Sequence, residues 1–168
     1  MRPDVLSPSQ TIGPLYGFAL MFEGSQFAVQ PGTPGAVRLA GRVLDGAGEP
    51  LSYPESMVEV WHGDQWARGR TDADGRFEFV VSKPVPEPLP DGREQAPYLN
   101  LSVFARGLLK QAQTRIYFPD EEAANASDPV LALVPEADRH TLVARDEDGA
   151  LHFDVHLQGE HETAFFDF

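Results

Sequence analysis

The chain has 168 residues and no cysteine, so it is long enough for one domain with its own core, and disulfides and thiolate metal sites are excluded. Its formal net charge of -13 argues against a nucleic-acid surface, since phosphates require a basic footprint, and it disfavours anionic membranes. Because we find no run of about 18 apolar residues and no apolar leader, we expect a cytoplasmic protein with neither a nucleic-acid nor a membrane partner.

The first 35 residues predict an extended N-terminal arm. Five prolines fall within this range, and apolar and polar residues alternate little there. This composition is typical of an extended segment rather than of a packed unit. We therefore expect an arm over 1–35 and a β-sandwich domain over 36–168.

From residue 36 onward the sequence has the spacing of turn residues that is typical of an all-β domain. Glycine and proline, 15 of each in the chain, recur between short runs rich in Val, Leu and Phe, and helical periodicity is scarce. These runs predict a two-sheet β-sandwich of about seven to eight strands. The predicted strands are 37–45, 56–62, 76–82, 98–106, 113–118, 141–145 and 150–158.

Turn sequences and one acidic segment complete the predicted elements. "DADG" (72–75) and "DEDG" (146–149) each place Gly where a left-handed backbone is expected before a strand, and both predict tight hairpins. "DEEAANAS" (120–127) predicts one short helix, which Pro129 ends.

The histidines do not suggest a metal site. His152 and His156 would share one face of a strand, but a separation of about 13 Å prevents them from binding the same ion, so we interpret them as half-exposed strand residues. His62, His140 and His161 have no second ligand at a chelating offset. The acidic turns lack the ligand spacing of a calcium loop, and no G-x-S-x-G motif is present. The sequence therefore offers no self-sufficient active site.

The strand predicted at 97–107, "PYLNLSVFARG", alternates strictly. Leu99, Leu101 and Val103 fall on one face, whereas Asn100 and Ser102 fall on the other. A His-x-His pair on such a strand could point at one metal ion, because residues i and i+2 share a face. One face of this strand offers Leu99-x-Leu101 instead of such a pair.

Separate sequence blocks, in order along the chain, carry a resemblance to a known family. The blocks are "SPSQTIGP" (7–14), "RLAGRVLDGAGEPLSYPESMVEVWHGD" (38–64), "GRTDADGRFEF" (69–79), "APYLNLSVFARG" (96–107), "TRIYFPDE" (114–121) and "HLQGEHETAFFDF" (156–168). Together they resemble the intradiol ring-cleavage dioxygenases, and within that family the α chains of the enzymes that are built from homologous α and β chains.

The resemblance implies a β-sandwich and a ferric ion (Fe3+) held by two Tyr and two His of the partner β chain. The family's His-x-His pair matches Leu99 and Leu101 here. One tyrosine would fall after 82–84 and the other in an insertion that is only a few residues long in this chain. The implied reaction is O2-dependent cleavage of a catechol, 3,4-dihydroxybenzoate, to 3-carboxy-cis,cis-muconate, with no metal bound by this chain.

The resemblance also implies that the α chain helps to shape the substrate pocket of its partner. One residue implied in this role is Arg106, whose guanidinium suits a carboxylated substrate because its planar group can pair with a carboxylate. The family has Tyr directly after Gly-Pro, whereas this chain has Leu15 there, so Tyr16 reaches the pocket only if the backbone shifts. The residues carried over by motif are Thr11, Gly13, Pro14, Tyr16 and Arg106.

Two other interpretations remain open at this point. A metal-free, acidic sandwich with 11 phenylalanines and two tryptophans could be a transthyretin-like binding module without a catalytic partner. A divergent homo-oligomer that has lost catalysis is the third possibility. A homologous partner chain that retains His-x-His and the two tyrosines would favour the enzyme.

Overall fold

The computed structural model describes residues 19–167, and these form an all-β fold of two main sheets, as the sequence predicted. Within this range no helix has the length and hydropathy that crossing a bilayer requires. The elements, in chain order, are β1 (Ala36–Leu44), β2 (Ser56–His62), β3 (Gln65–Arg70), β4 (Arg76–Ser82), β5 (Glu87–Pro88), β6 (Glu94–Gln95), β7 (Tyr98–Ala105), β8 (Ala112–Tyr117), α1 (Glu122–Ser127), β9 (Arg145–Glu147), β10 (Ala150–His152) and β11 (Val155–His156).

The two main sheets differ in their topology. In the five-stranded sheet, β1 pairs antiparallel with β4 and parallel with β10 and β11, and β9 forms the edge next to β10. The four-stranded sheet has the order β3-β2-β7-β8 and is antiparallel throughout. A single core cluster with residues from both sheets, including Leu39, Phe79, Leu101 and Ile116, joins them into a sandwich.

Strand β3 was not predicted from the sequence. Its inward positions are Ala67 and Gly69, which are too small to give an apolar alternation. A Cβ atom added at Gly69 would lie 3.0 Å from the ring of Phe79, so the core leaves no room for a larger side chain there. The strand therefore lacks the pattern by which buried strands are usually recognised.

The two predicted hairpins have different outcomes. The turn at 146–149 joins β9 to β10 through Asp148 and Gly149, both with positive φ (52° and 75°), as a two-residue hairpin requires. The hairpin predicted at 72–75 is wrong, because β3 and β4 belong to different sheets and the turn carries the chain from one to the other. There the Asp72 carboxylate accepts the backbone N–H groups of Asp74 and Arg76.

The strand predicted at 141–145 is also wrong. The 3₁₀ helix Glu136–Leu142 occupies its first two residues, and Leu142 is buried at the end of this helix in a second apolar cluster. Between this helix and β9, the strand pairing consists of one isolated β-bridge between Val143 and Tyr117. A short apolar run fits a buried helix end as well as a strand, so the pattern alone misassigned it.

The strand predicted at 150–158 is interrupted between β10 and β11. A Cβ at Gly41 would lie 1.8 Å from the carbonyl oxygen of Phe153, so the glycine permits a close backbone approach at this point. The Arg42 N–H then donates to the Asp154 carboxylate (2.9 Å). A side chain thus replaces one rung of the ladder, and pairing resumes at β11.

The helix and the arm complete the comparison with the sequence. A 3₁₀ turn, Pro119–Glu121, leads into α1, which confirms the one short helix predicted there. In the described part of the arm, the Ser25 carbonyl accepts the N–H of Arg68, and the Gln26 carbonyl accepts the N–H of Val80. Residues 19–35 therefore contact both sheets, and residues 1–18 lie outside the described range.

Candidate functional site

Strand β7 separates an apolar face from a polar one. Leu99 and Leu101 are fully buried in the core between the sheets. Tyr98, Asn100 and Ser102 lie on the opposite face, which is the outer face of the four-stranded sheet. Histidines in place of the two leucines would therefore point between the sheets. The polar side chains of this strand that can contact a ligand lie on the other face.

A pocket of about 310 Å³ lies on that outer face. The cross-strand register places Arg115 of β8 opposite Asn100 of β7, and Asn100 opposite Trp61 of β2. The three side chains therefore form one row across the sheet. Ser102 and Gln113, which are paired in the neighbouring row, also line the pocket.

Arg115 is the charged residue of this pocket, and it is only 8% exposed. Its guanidinium carbon lies 3.8 Å from the centroid of the Tyr98 ring, and its Nη1 donates to Gln95 Oε1 (2.7 Å). Its Nε is buried and has no hydrogen-bond partner. Arg115 is therefore an enclosed cation at the wall of the pocket.

Tyr98 joins the pocket to a neighbouring polar group. Its hydroxyl donates to Glu87 Oε2 (3.0 Å), and its ring meets that of His62 edge-on at 4.7 Å. Burial raises the pKa of Tyr98, the Arg115 charge opposes this, and the bond to Glu87 adds to it. Burial also lowers the pKa of His62, although Glu87 acts in the other direction. Both rings are therefore neutral at pH 7.

Asp128 is a buried acceptor beside β8 of the four-stranded sheet. It accepts the Tyr117 hydroxyl (3.0 Å) and the backbone N–H groups of Ala96, Val130 and Leu131. Burial raises the pKa of the Tyr117 phenol, a hydrogen bond with Arg115 opposes this, and the Asp128 charge adds to the increase. The carboxylate thus fixes the segment after α1 against β8, a structural role that the sequence did not reveal.

The residues of this pocket do not fit a ferric ion. Within residues 19–167 no group of three or more His, Cys, Asp or Glu side chains could hold a metal. The pocket instead contains the Arg115 guanidinium, whose positive charge opposes the entry of a cation. We therefore derive no chemical step through a metal in this chain.

The structure separates the site residues that the sequence suggested. Arg106 follows β7 at the end away from Tyr98, about 26 Å along an extended chain, and its Nη1 lies 2.6 Å from Glu55 Oε1. Its side chain is 64% exposed. The candidate arm residues lie outside the described range, namely Thr11, Gly13, Pro14 and Tyr16.

The histidines stand apart from the pocket residues. His152 ends β10 and His156 ends β11, so they no longer share one continuous strand, although both are half-buried as expected. The rings of His156 and His161 lie 6.0 Å apart. The sequence missed Arg115, because only the register of β7 against β8 brings it opposite the polar face.

Comparison with known proteins identifies the family. No family model matches the chain. The sequence is 36% identical to the protocatechuate 3,4-dioxygenase alpha chain of Burkholderia cepacia, over 96% of both chains. It is 30% identical to a protocatechuate 3,4-dioxygenase beta chain of the same organism, over 81% of this chain and 71% of the relative. The structure of hydroxyquinol 1,2-dioxygenase from Pseudomonas putida shares the fold, with a TM-score of 0.61 at 20% identity over 90% of this chain and 67% of the other. The chain therefore belongs to the family of protocatechuate 3,4-dioxygenase alpha chains.

Proposed function

We propose that the chain is the alpha subunit of a ferric intradiol dioxygenase whose homologous beta chain holds the iron. The substrate is 3,4-dihydroxybenzoate. Both atoms of O2 enter the product, and the ring opens between the two hydroxyl-bearing carbons to give 3-carboxy-cis,cis-muconate, a step of aromatic catabolism. The observation that carries this proposal is the 36% identity to an alpha chain over 96% of both chains.

The composition of the chain's own pocket supports assigning the iron to the partner. The outer face of β7 presents Tyr98, Asn100 and Ser102, beside the Arg115 cation. Its inner face is filled by apolar side chains that pack between the sheets. A chain of this kind contributes assembly and substrate orientation, while the ion supplies catecholate activation when it is bound by the partner.

Arg106 is the residue of the described range that we assign to substrate orientation. Its side chain is mostly exposed, and its Nη1 forms an ion pair with Glu55. A guanidinium has five N–H donors, so it can hold Glu55 and still bind a substrate carboxylate. Glu55 thereby orients Arg106, whose other N–H groups can bind a substrate carboxylate. We assign the same task to Thr11, Gly13, Pro14 and Tyr16 of the arm.

An exposed aromatic surface supports a protein partner. Phe22 stacks on Trp66 with ring centroids 6.3 Å apart, and Trp61 pairs with Trp66 across β2 and β3. The three side chains are 57%, 38% and 40% exposed, in the order Phe22, Trp66 and Trp61. Aromatic side chains are enriched at protein interfaces, so we assign this aromatic surface to contact with the beta chain.

The test is to purify the chain alone, the chain with a beta-chain homologue, and that pair with residues 1–16 of this chain deleted. Size-exclusion chromatography, iron analysis and oxygen uptake on several catechols are measured for each sample. We expect the chain alone to be iron-free, inactive and self-associating through its exposed apolar surface. The pair should be coloured, iron-loaded and active, and the deletion should reduce turnover or assembly.

The same samples discriminate the alternatives. A stable monomer that never binds the beta-chain homologue would contradict the subunit proposal and favour a transthyretin-like binding module. A homo-oligomer that takes up stoichiometric iron without the partner would contradict the assignment of iron to the beta chain.

A further inference from the structure

Two histidines lie next to each other across the turn that follows β11. His156 belongs to β11 and His161 to the turn, and their ring centroids are 6.0 Å apart, with the ring planes at 73°. Two imidazoles on one zinc ion have ring centroids roughly 5 Å apart, because each Zn–N bond is about 2.0–2.1 Å long. A small rotation of His161, whose side chain is exposed, would close the difference. The two rings are therefore within reach of one metal ion.

Backbone hydrogen bonds hold this pair in place. The His156 N–H donates to Thr163 Oγ1 (3.0 Å), and the Thr163 N–H donates to the His156 carbonyl oxygen (3.0 Å). Within the loop so closed, the Glu162 N–H donates to the carbonyl oxygen of Gly159 (3.1 Å), whose φ of 104° favours glycine. The loop that carries His161 thus returns to β11 at a fixed position. Ligands that are already positioned lose less conformational entropy on binding.

A cavity of about 180 Å³ lies beside the pair, and both rings line it. One water molecule occupies about 30 Å³ in the liquid, so the cavity holds an ion with a few waters. Pockets for organic ligands are typically larger, at about 300–1,000 Å³. His140 lines the same cavity, but no three such side chains within residues 19–167 lie close enough to share one ion. The cavity therefore offers two protein ligands and space for water.

The charges around the pair favour a cation. Glu160 and Glu162 flank His161 and are exposed, and the chain has a net charge of -13. Arg145 also lines the cavity, but its guanidinium forms ion pairs with Glu147 (2.8 Å) and Asp154 (3.4 Å). Its positive charge is therefore compensated within the chain, and the local field does not oppose the entry of a cation.

We propose that His156 and His161 bind one divalent transition-metal ion of the zinc type, with water completing its coordination. Imidazole nitrogen suits Zn²⁺, Ni²⁺ and Cu²⁺, whereas Mg²⁺ and Ca²⁺ take oxygen ligands. Two protein ligands, instead of the four of a structural zinc site, imply a dissociation constant of roughly 10 to 100 μM. The ion joins β11 to the turn and stabilises the folded chain. The site does not depend on the proposed dioxygenase function.

The test is calorimetric titration of the full-length chain, without a beta chain, with zinc chloride and separately with magnesium chloride. We expect one Zn²⁺ site per chain with a dissociation constant below about 100 μM, and no saturable Mg²⁺ binding up to about 10 mM. Zinc should also raise the melting temperature, because the ion binds only the folded loop. The variant His161→Gln, which keeps an exposed polar side chain, should weaken Zn²⁺ binding at least about tenfold and lose the rise in melting temperature.

Two further histidine variants complete the test. His156→Gln should weaken Zn²⁺ binding as much as His161→Gln does, since each removes one of the two ligands. The matched control is His152→Gln, which removes a half-buried histidine from a different cavity and should leave the affinity within about twofold. Unchanged Zn²⁺ binding by His161→Gln would overturn the proposal even if His156→Gln fails to fold. Equal binding of Mg²⁺ and Zn²⁺, or no saturable Zn²⁺ binding up to about 1 mM, would also overturn it.

Discussion

The outer faces of the two sheets cover one core but are built from different residues. The four-stranded sheet presents Trp61 and Trp66 beside a pocket with a buried arginine. The five-stranded sheet presents a cavity of about 530 Å³ lined by charged residues in ion pairs, including Arg42 with Asp154 (3.3 Å). The first face presents partly exposed apolar rings, whereas the second presents charged side chains that form ion pairs within the chain. Such a difference indicates which face meets a partner and which meets water.

The largest effect is expected when polar side chains are placed in the core that both sheets share, rather than on an outer face. Leu99→His with Leu101→His should destabilise the chain by about 1 to 3 kcal/mol per substitution, because each buried ring lacks a hydrogen-bond partner. Urea unfolding measures the loss, with Trp61→His on the outer face as the matched control. Stoichiometric iron with a tyrosinate absorption band in the double variant would contradict our interpretation of these positions.

The aromatic surface should matter for assembly and little for folding. Replacing Trp61 and Trp66 by Ser should weaken binding of the beta-chain homologue by about 2 kcal/mol or more, since exposed tryptophans are typical interface anchors. The chain alone should become more soluble. The matched control is Arg38→Ser with Glu78→Ser on the five-stranded sheet, which removes one exposed ion pair. Equal weakening by both double variants would show that the two faces do not differ in this way.

Arg106 and Arg145 form a matched pair of exposed arginines, one associated with each sheet. In the assembled enzyme, Arg106→Ala should reduce kcat/KM for 3,4-dihydroxybenzoate by about 1 to 3 kcal/mol relative to catechol, because the lost charged hydrogen bond involves only the carboxylated substrate. The Arg145 guanidinium pairs with Glu147 and Asp154. Arg145→Ala should therefore leave kcat/KM unchanged for both substrates. An equal loss on both substrates in Arg106→Ala would assign that arginine a structural role.

The smallest effect concerns the ion pairs of the five-stranded sheet. Burial alone would raise the pKa of Asp154, but hydrogen bonds and charges from Arg42 and Arg145 hold it below its usual value. The carboxylate therefore contributes stability above the unfolded pKa of about 3.9, and the contribution is lost as pH falls through the lower folded pKa. Asp154→Asn should cost roughly 1 kcal/mol at pH 7 and much less near pH 3, as measured by urea unfolding. A loss of the same size at both values would contradict this account.

The sequence determined the fold class and the family. Short runs rich in Val and Phe, bounded by Gly and Pro, predicted β2 and β4 at their observed bounds. The ordered sequence blocks predicted the intradiol resemblance, which the 36% identity to an alpha chain confirms. The alternation of the strand that contains Leu99 and Leu101 also predicted correctly that both are core residues.

Only the tertiary structure decided which neighbours these residues have. The small inward residues of β3 carry no periodic signal, and the Gly41 contact that interrupts the last strand joins segments that are far apart in sequence. The pocket depends on the register that places Arg115 opposite Asn100, and a shift of one residue would turn Arg115 into the core. Local pattern fixes the face on which a side chain lies, whereas pairing between distant strands fixes what it meets there.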